Sequence, residues 1–136
     1  MECIFCKIVR GELDAHKVYE DSETMAFLDR YPMTDGHTLV IPKVHAERLS
    51  DLPPELAGKL FQTVQKVTEQ IARALGAPAF NIGFNDGRAA GQAIPHLHCH
   101  IIPRFPGDGG GSMHSIISTP QKRSLEETHR LIAHKP

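Results

Sequence analysis

The run Gly91-Gln-Ala-Ile-Pro-His96-Leu-His98-Cys-His100-Ile-Ile-Pro-Arg104 constrains this chain more than any other segment. Its three histidines recur at every second position. In an extended strand alternate side chains leave on the same face, so the three imidazoles point one way. Leu97, Cys99, Ile101 and Ile102 supply the apolar partners. Imidazoles are seldom half-buried side by side without a use for them. A single ion held by all three is disfavoured by geometry. At a rise of about 3.3 Å per residue, His96 and His100 have Cα atoms roughly 13 Å apart, whereas a Zn–N bond is about 2.1 Å. Neighbours in the row can share an ion and the outer pair can do so only if the strand bends. The histidines are therefore expected to divide their work.

The pattern His-φ-His-φ-His-φ-φ, with φ apolar, runs from His96 to Ile102 without a mismatch. It resembles the signature of the histidine triad (HIT) family. Phe27-Leu28-Asp29, His37-Thr-Leu-Val-Ile-Pro-Lys43 with His45, Asn85-Asp86-Gly87 and Gly91-Gln92 also look like family segments in family order. The resemblance spans roughly residues 3 to 105 and is to the zinc-bearing, Hint-like, bacterial type.

The resemblance implies nucleotidyl transfer to water. His98 would attack the α-phosphorus of a purine nucleotide substrate, and water would then release the nucleoside monophosphate. A neutral imidazole is a competent nucleophile near pH 7, and it needs its other ring nitrogen held by an acceptor, often a backbone carbonyl. His100 and Gln92 would donate to the non-bridging phosphate oxygens, where charge develops. Gln92 also reads as plain loop, and His100 as a core histidine. Asp29 would bind the ribose hydroxyls, as a carboxylate accepting two donors is suited to do. Asn85 would lie near the phosphate and ribose, although Asn85-Asp86-Gly87 also reads as a turn. His37 would lie near the nucleotide or the triad, and Gly91 in a loop whose amides approach the phosphate. Ala93 departs from the Hint pattern, which carries a leaving-group serine there. A dinucleoside polyphosphate hydrolase of the Fhit type, a nucleotide-binding adaptor with little turnover, and a metallohydrolase using His98 and His100 are the competing readings.

Cys3-Ile-Phe-Cys6 has the spacing of a zinc half-site, and also of a redox pair or two idle thiols. In the zinc-bearing relatives the other two ligands correspond to His45 and His96. That set of Cys3, Cys6, His45 and His96 would be closed and tetrahedral, hence a structural Zn2+. Cys99 points away from the histidine face and reads as a small buried hydrophobe. His16, His114, His129 and His134 read as solvent-exposed.

The remaining sequence bounds the answer. At 136 residues one domain is expected, with 1–105 as its body and 106–136 completing it or serving a dimer interface. A net charge of −1 gives no footprint for nucleic acid. No apolar run is long enough to span a membrane, and Met-Glu-Cys does not open a signal peptide. A cytoplasmic location and, from the resemblance, a homodimer are expected.

Periodicity predicts an α+β fold: an antiparallel sheet of about five strands, one long helix and short terminal helices. A short helix is expected over Cys3 to Arg10. Strands are expected over Lys17 to Glu20, Thr24 to Leu28, Thr38 to Ile41, Phe80 to Phe84 and His96 to Ile102. The long helix opens at Asp51-Leu-Pro-Pro-Glu, carries the stripe Leu56, Leu60, Val64, Val67, Ile71 and Leu75, and ends at Gly76 and Pro78. Ser124-Leu-Glu-Glu127 is a capping-box pattern before a last short helix.

Overall fold

The structure, a computed structural model, describes residues 2–133; His134 lies outside them. Helix α1 covers Ile4–Val9. Strands β1 (Lys17–Glu20), β2 (Thr24–Leu28) and β3 (Thr38–Pro42) follow, then helix α2 (Pro54–Leu75), β4 (Ala79–Gly83), β5 (Cys99–Arg104) and α3 (Leu125–Ala133). The strands form one antiparallel sheet in the order β1-β2-β3-β5-β4. This is the α+β architecture that the sequence periodicity predicts.

Asp21 closes the β1–β2 turn, its Oδ1 accepting the Glu23 and Thr24 N–H groups at 2.9 and 2.8 Å. Such a side chain mimics a backbone turn and fixes strand register. Proline at the first position of α2 costs no hydrogen bond, and Gly76, at φ 66°, ends the helix in the left-handed conformation that glycine adopts most cheaply.

Each face of the sheet has its own apolar layer. Leu60, Val64, Val67 and Ile71 of α2 pack with Ala26, Val40, Leu97, Cys99 and Ile101. On the opposite face Phe5 and Ile8 of α1 pack with Met25, Phe27, Leu39 and Ile41. The two-residue period puts odd positions of β2 and β3 toward α1 and even ones toward α2. Leu39 pairs with His100 and Val40 with Cys99, so the same alternation carries His100 onto the α1 face. Burial raises the Cys99 thiol to about 12, in keeping with its reading as an inert apolar side chain.

The start of the last strand and the end of the helical stripe differ from expectation. The last strand starts at Cys99 rather than His96, because Leu97 N–H donates to the Ala46 carbonyl and not to a strand partner. Leu75 closes the helical stripe in sequence but is 46 % exposed, because it lies at the rim beside Gly36. Gly36 takes φ +87°, and a Cβ there would stand 2.5 Å from Leu75 Cδ1. That glycine allows β3 to start tight against α2 and sets where His37 emerges. From 106 to 133 no residue is buried, although Ser124 Oγ caps α3 by accepting the Glu127 N–H at 3.1 Å. His16, His114 and His129 are exposed. No helix among the described residues is long and apolar enough to cross a membrane.

Candidate functional site

The histidine row divides at its first member. His96 is fully buried, and its Nε2 lies 2.9 Å from the Pro42 carbonyl. A carbonyl only accepts, so the proton sits on Nε2 and the lone pair on Nδ1. That lone pair faces Cys3 Sγ at 3.3 Å, Cys6 Sγ at 3.6 Å and His45 Nδ1 at 3.2 Å. Cys6 Sγ is in turn 3.4 Å from His45 Nδ1. The four donors come from α1 and its N-cap, the segment after β3, and the segment before β5.

All four ligand atoms lie within 4.8 Å of one another. Bonds of about 2.1 Å to nitrogen and 2.3 Å to sulfur give tetrahedral edges of roughly 3.4 to 3.8 Å, and the four measured separations fall at or just below these values. Two soft thiols and two imidazoles are a donor set for zinc. The residues therefore fit a Zn2+ ion, held by Cys3, Cys6, His45 and His96.

His98 turns the other way. Its Nδ1–H donates to the His96 carbonyl at 2.7 Å, which leaves the lone pair on Nε2. Phe5 packs edge-on against it with ring centres 5.2 Å apart, and against His96 at 5.8 Å. No motif marks Phe5, beyond its place between Cys3 and Cys6 in a helix that must face the sheet.

His100 follows, its ring centre 5.0 Å from that of His98. Its Nδ1 is 3.0 Å from His37 Nε2, while its Nε2 is buried and has no partner among the described residues. His37 is 3 % exposed and its Nδ1 accepts the Met33 N–H at 3.1 Å. Asp29 Oδ2 approaches His37 Nε2 at 3.5 Å, and Asp29 Oδ1 accepts the Tyr31 N–H at 2.9 Å. Asn85 is exposed and lines, with His37, His100, Met33 and Asn81, a cavity of about 550 Å³.

Burial keeps these imidazoles neutral. It lowers His98 and His37 below the usual range near 6.5. His100 is pushed down to about 4, by burial first and then by the adjoining His98 and His37, with the Asp29 carboxylate opposing. A charged form in this low-dielectric setting lacks the hydration it has in water.

The Gly87–Gln92 loop is placed otherwise than expected. Gln92 Oε1 accepts the Gly87 N–H at 2.7 Å, and its Nε2 donates to the carbonyls of Glu47 at 2.8 Å and Ile94 at 3.0 Å. Gly91 N–H donates to the Arg88 carbonyl at 2.9 Å. The Gln92 amide and the Gly91 N–H thus tie the loop to itself and to the Glu47 segment rather than stand free for a phosphate. Positive φ at Gly87 and Gly91 makes that tight closure possible.

Asp29, His37 and His100 also bring ligand atoms within 4.8 Å of one another. His37 argues against an ion there. Its Nδ1 accepts an N–H, so its proton sits on Nε2, the atom that would face the metal. Among the described residues neither donor group includes His98.

Three comparisons bear on this arrangement. The family model described as HIT domain matches residues 10–107. An uncharacterised HIT-like protein of Methanocaldococcus jannaschii is 49 % identical over 107 residues, covering 79 % of this chain and 82 % of that one. An adenosine 5′-monophosphoramidase of Schizosaccharomyces pombe is 43 % identical, over 76 % of this chain and 75 % of its own. An adenylylsulfatase of Arabidopsis thaliana is 44 % identical, over 79 % of this chain and 54 % of its own. Among solved structures, a Zn-bound histidine triad family protein from Mycobacterium smegmatis aligns with TM-score 0.76 at 39 % identity, covering 97 % of this chain and 91 % of that one.

Proposed function

The chain belongs to the HIT domain family, and on that premise we propose that it is a nucleotide hydrolase acting at the α-phosphate of purine nucleoside 5′-phosphoramidates or related conjugates. The observation that carries this reading is the orientation of His98. Its Nδ1–H is tied to the His96 carbonyl, so Nε2 offers its lone pair, and the neighbouring His100 ring, 5.0 Å away between centres, has a buried Nε2 without a partner among the described residues.

In the proposed reaction His98 Nε2 attacks the α-phosphorus. A nitrogen–phosphorus bond forms and the bond to the leaving amine breaks, the departing nitrogen taking a proton from water. Water then attacks the nucleotidyl-histidine, releasing the nucleoside monophosphate and restoring His98. His100 donates to the phosphate oxygens as charge builds on them. Asp29 holds the ribose hydroxyls, and Asn85 and His37 border the nucleotide. Gln92 and Gly91 shape the loop beside it. Cys3, Cys6, His45 and His96 would hold a structural zinc that ties α1 to the sheet.

Ala93 favours a second leaving group. It offers no hydroxyl to protonate a departing amine, whereas a polyphosphate departs as an anion without needing a proton. Dinucleoside polyphosphates are therefore the alternative substrates. Rates of nucleoside monophosphate release from adenosine 5′-phosphoramidate and from a dinucleoside polyphosphate, measured side by side, separate the two. Binding without release from either would leave the adaptor reading.

The neutral site sets the pH response. Protonation would consume the His98 lone pair, and burial lowers that pKa, so activity is lost only as pH falls through the lowered value. The kcat/KM profile is expected to hold as pH falls past the usual imidazole range near 6.5 and to decline only at lower pH. An acid limb centred at 6.5 or higher would contradict burial as the dominant influence.

A homodimer completes the proposal. Ile116, Ile117, Leu125, Leu131 and Ile132 are each at least 65 % exposed, and β4 is an open sheet edge. Unpaired edges and apolar tails are features that a second copy covers. Light scattering at micromolar concentration is expected to give twice the chain mass; the mass of one chain would refute it.

A further inference from the structure

His37 stands between the ribose carboxylate and the phosphate-facing histidine, and its hydrogen bonds have a direction. The Met33 N–H is a fixed donor to His37 Nδ1 at 3.1 Å. A neutral imidazole with an accepting Nδ1 carries its proton on Nε2. That Nε2 is 3.0 Å from His100 Nδ1 and 3.5 Å from Asp29 Oδ2, so the nearer acceptor is His100. A nitrogen that accepts there has no proton, and His100 must carry its own on Nε2. This Nε2 is the one buried side-chain N or O without a partner among the described residues.

We infer that His37 is a positioning residue: it relays the Met33 N–H through two rings and holds His100 in the tautomer whose Nε2–H is turned toward the substrate phosphate. The alternative tautomer would place a lone pair against an anionic oxygen and two N–H groups against each other. Asp29 Oδ2, at 3.5 Å, is the more distant acceptor for the same His37 proton. The phosphate role rests on the proposed function, whereas the tautomer itself does not.

The groups facing this pair from neighbouring segments are His98 on the same segment as His100, and Asp29 beyond β2. His98 makes its own bond to the His96 carbonyl and does not compete for Nδ1 of His100.

The test is a long-range proton–nitrogen NMR correlation on the full chain with 15N-labelled histidine, loaded with zinc, at pH 7.5. Protonated and lone-pair nitrogens are resolved directly. The wild type is expected to carry its proton on Nε2 at both His37 and His100. His37→Gln keeps a donor opposite His100 Nδ1 and is expected to keep the His100 tautomer. His37→Leu removes the donor; His100 is expected to lose its single tautomer, and kcat to fall about a hundredfold with little change in KM, the usual loss for a missing charge-stabilising donor. A wild-type proton on His100 Nδ1 would overturn the inference, as would a His37→Leu protein with unchanged tautomer and kcat. Should His37→Leu fail to fold, the wild-type and His37→Gln spectra still decide. Absence of nucleotide turnover in the wild type would refute the proposed function and leave the tautomer result to stand or fall by itself.

Discussion

His98→Ala is expected to lower release of AMP from adenosine 5′-phosphoramidate by at least about a thousandfold while nucleotide binding persists, because a covalent pathway cannot proceed without its nucleophile. The ring is an interior one, 7 % exposed, and truncating it removes its contact with Phe5 as well as its lone pair. His98→Asn is the useful companion, since it keeps a polar side chain near the His96 carbonyl. Both variants are expected to bind AMP within a few-fold of wild type by calorimetry. Full turnover by either would remove His98 from the reaction and favour a water activated elsewhere.

Removal of zinc is expected to have the largest effect on stability. A ligand that binds only the folded chain stabilises it by RT ln(1 + [L]/Kd), about 3 to 4 kcal/mol when free zinc is several hundred times Kd. For a chain of 136 residues that corresponds to a fall in Tm of roughly 10 °C on chelation. Cys3→Ser with Cys6→Ser should reproduce the fall and abolish the response to added zinc. Hydrogen exchange should rise first over α1, whose N-cap and first turn supply two of the four donors. Elemental analysis is expected to give one zinc per chain. A stoichiometry near zero, with Tm unmoved by chelation, would contradict the centre.

The two faces of the sheet were legible because they rest on local periodicity. Positions 97, 99 and 101 alternate with 98 and 100, and the apolar set goes to α2 as the period requires. The donor group that could hold zinc was half legible. Cys3 and Cys6 announce themselves by spacing, whereas His45 and His96 lie 39 and 90 residues beyond Cys6 and required the resemblance. Partners that are backbone atoms leave no trace in side-chain identity. The Pro42 and His96 carbonyls fix two tautomers, and the Met33 N–H orients His37, yet nothing in those residue types marks the role. The same holds for the loop: the donors of Gly91 and Gln92 close onto the carbonyls of Arg88, Glu47 and Ile94, which no residue type announces. The contact of His37 with His100 is not legible either, because the two lie 63 residues apart. Ser124 read correctly as a cap, while what covers the apolar side of α3 does not follow from its own sequence.

The central claim, transfer through His98, is tested most directly by the stereochemistry at phosphorus. A single diastereomer of an adenosine 5′-phosphorothioamidate, hydrolysed in 18O-water, yields a chiral phosphorothioate whose configuration reports the number of displacements. Two in-line steps, first to His98 and then to water, predict net retention. Inversion would mean direct attack by water and would contradict the nucleotidyl-histidine intermediate.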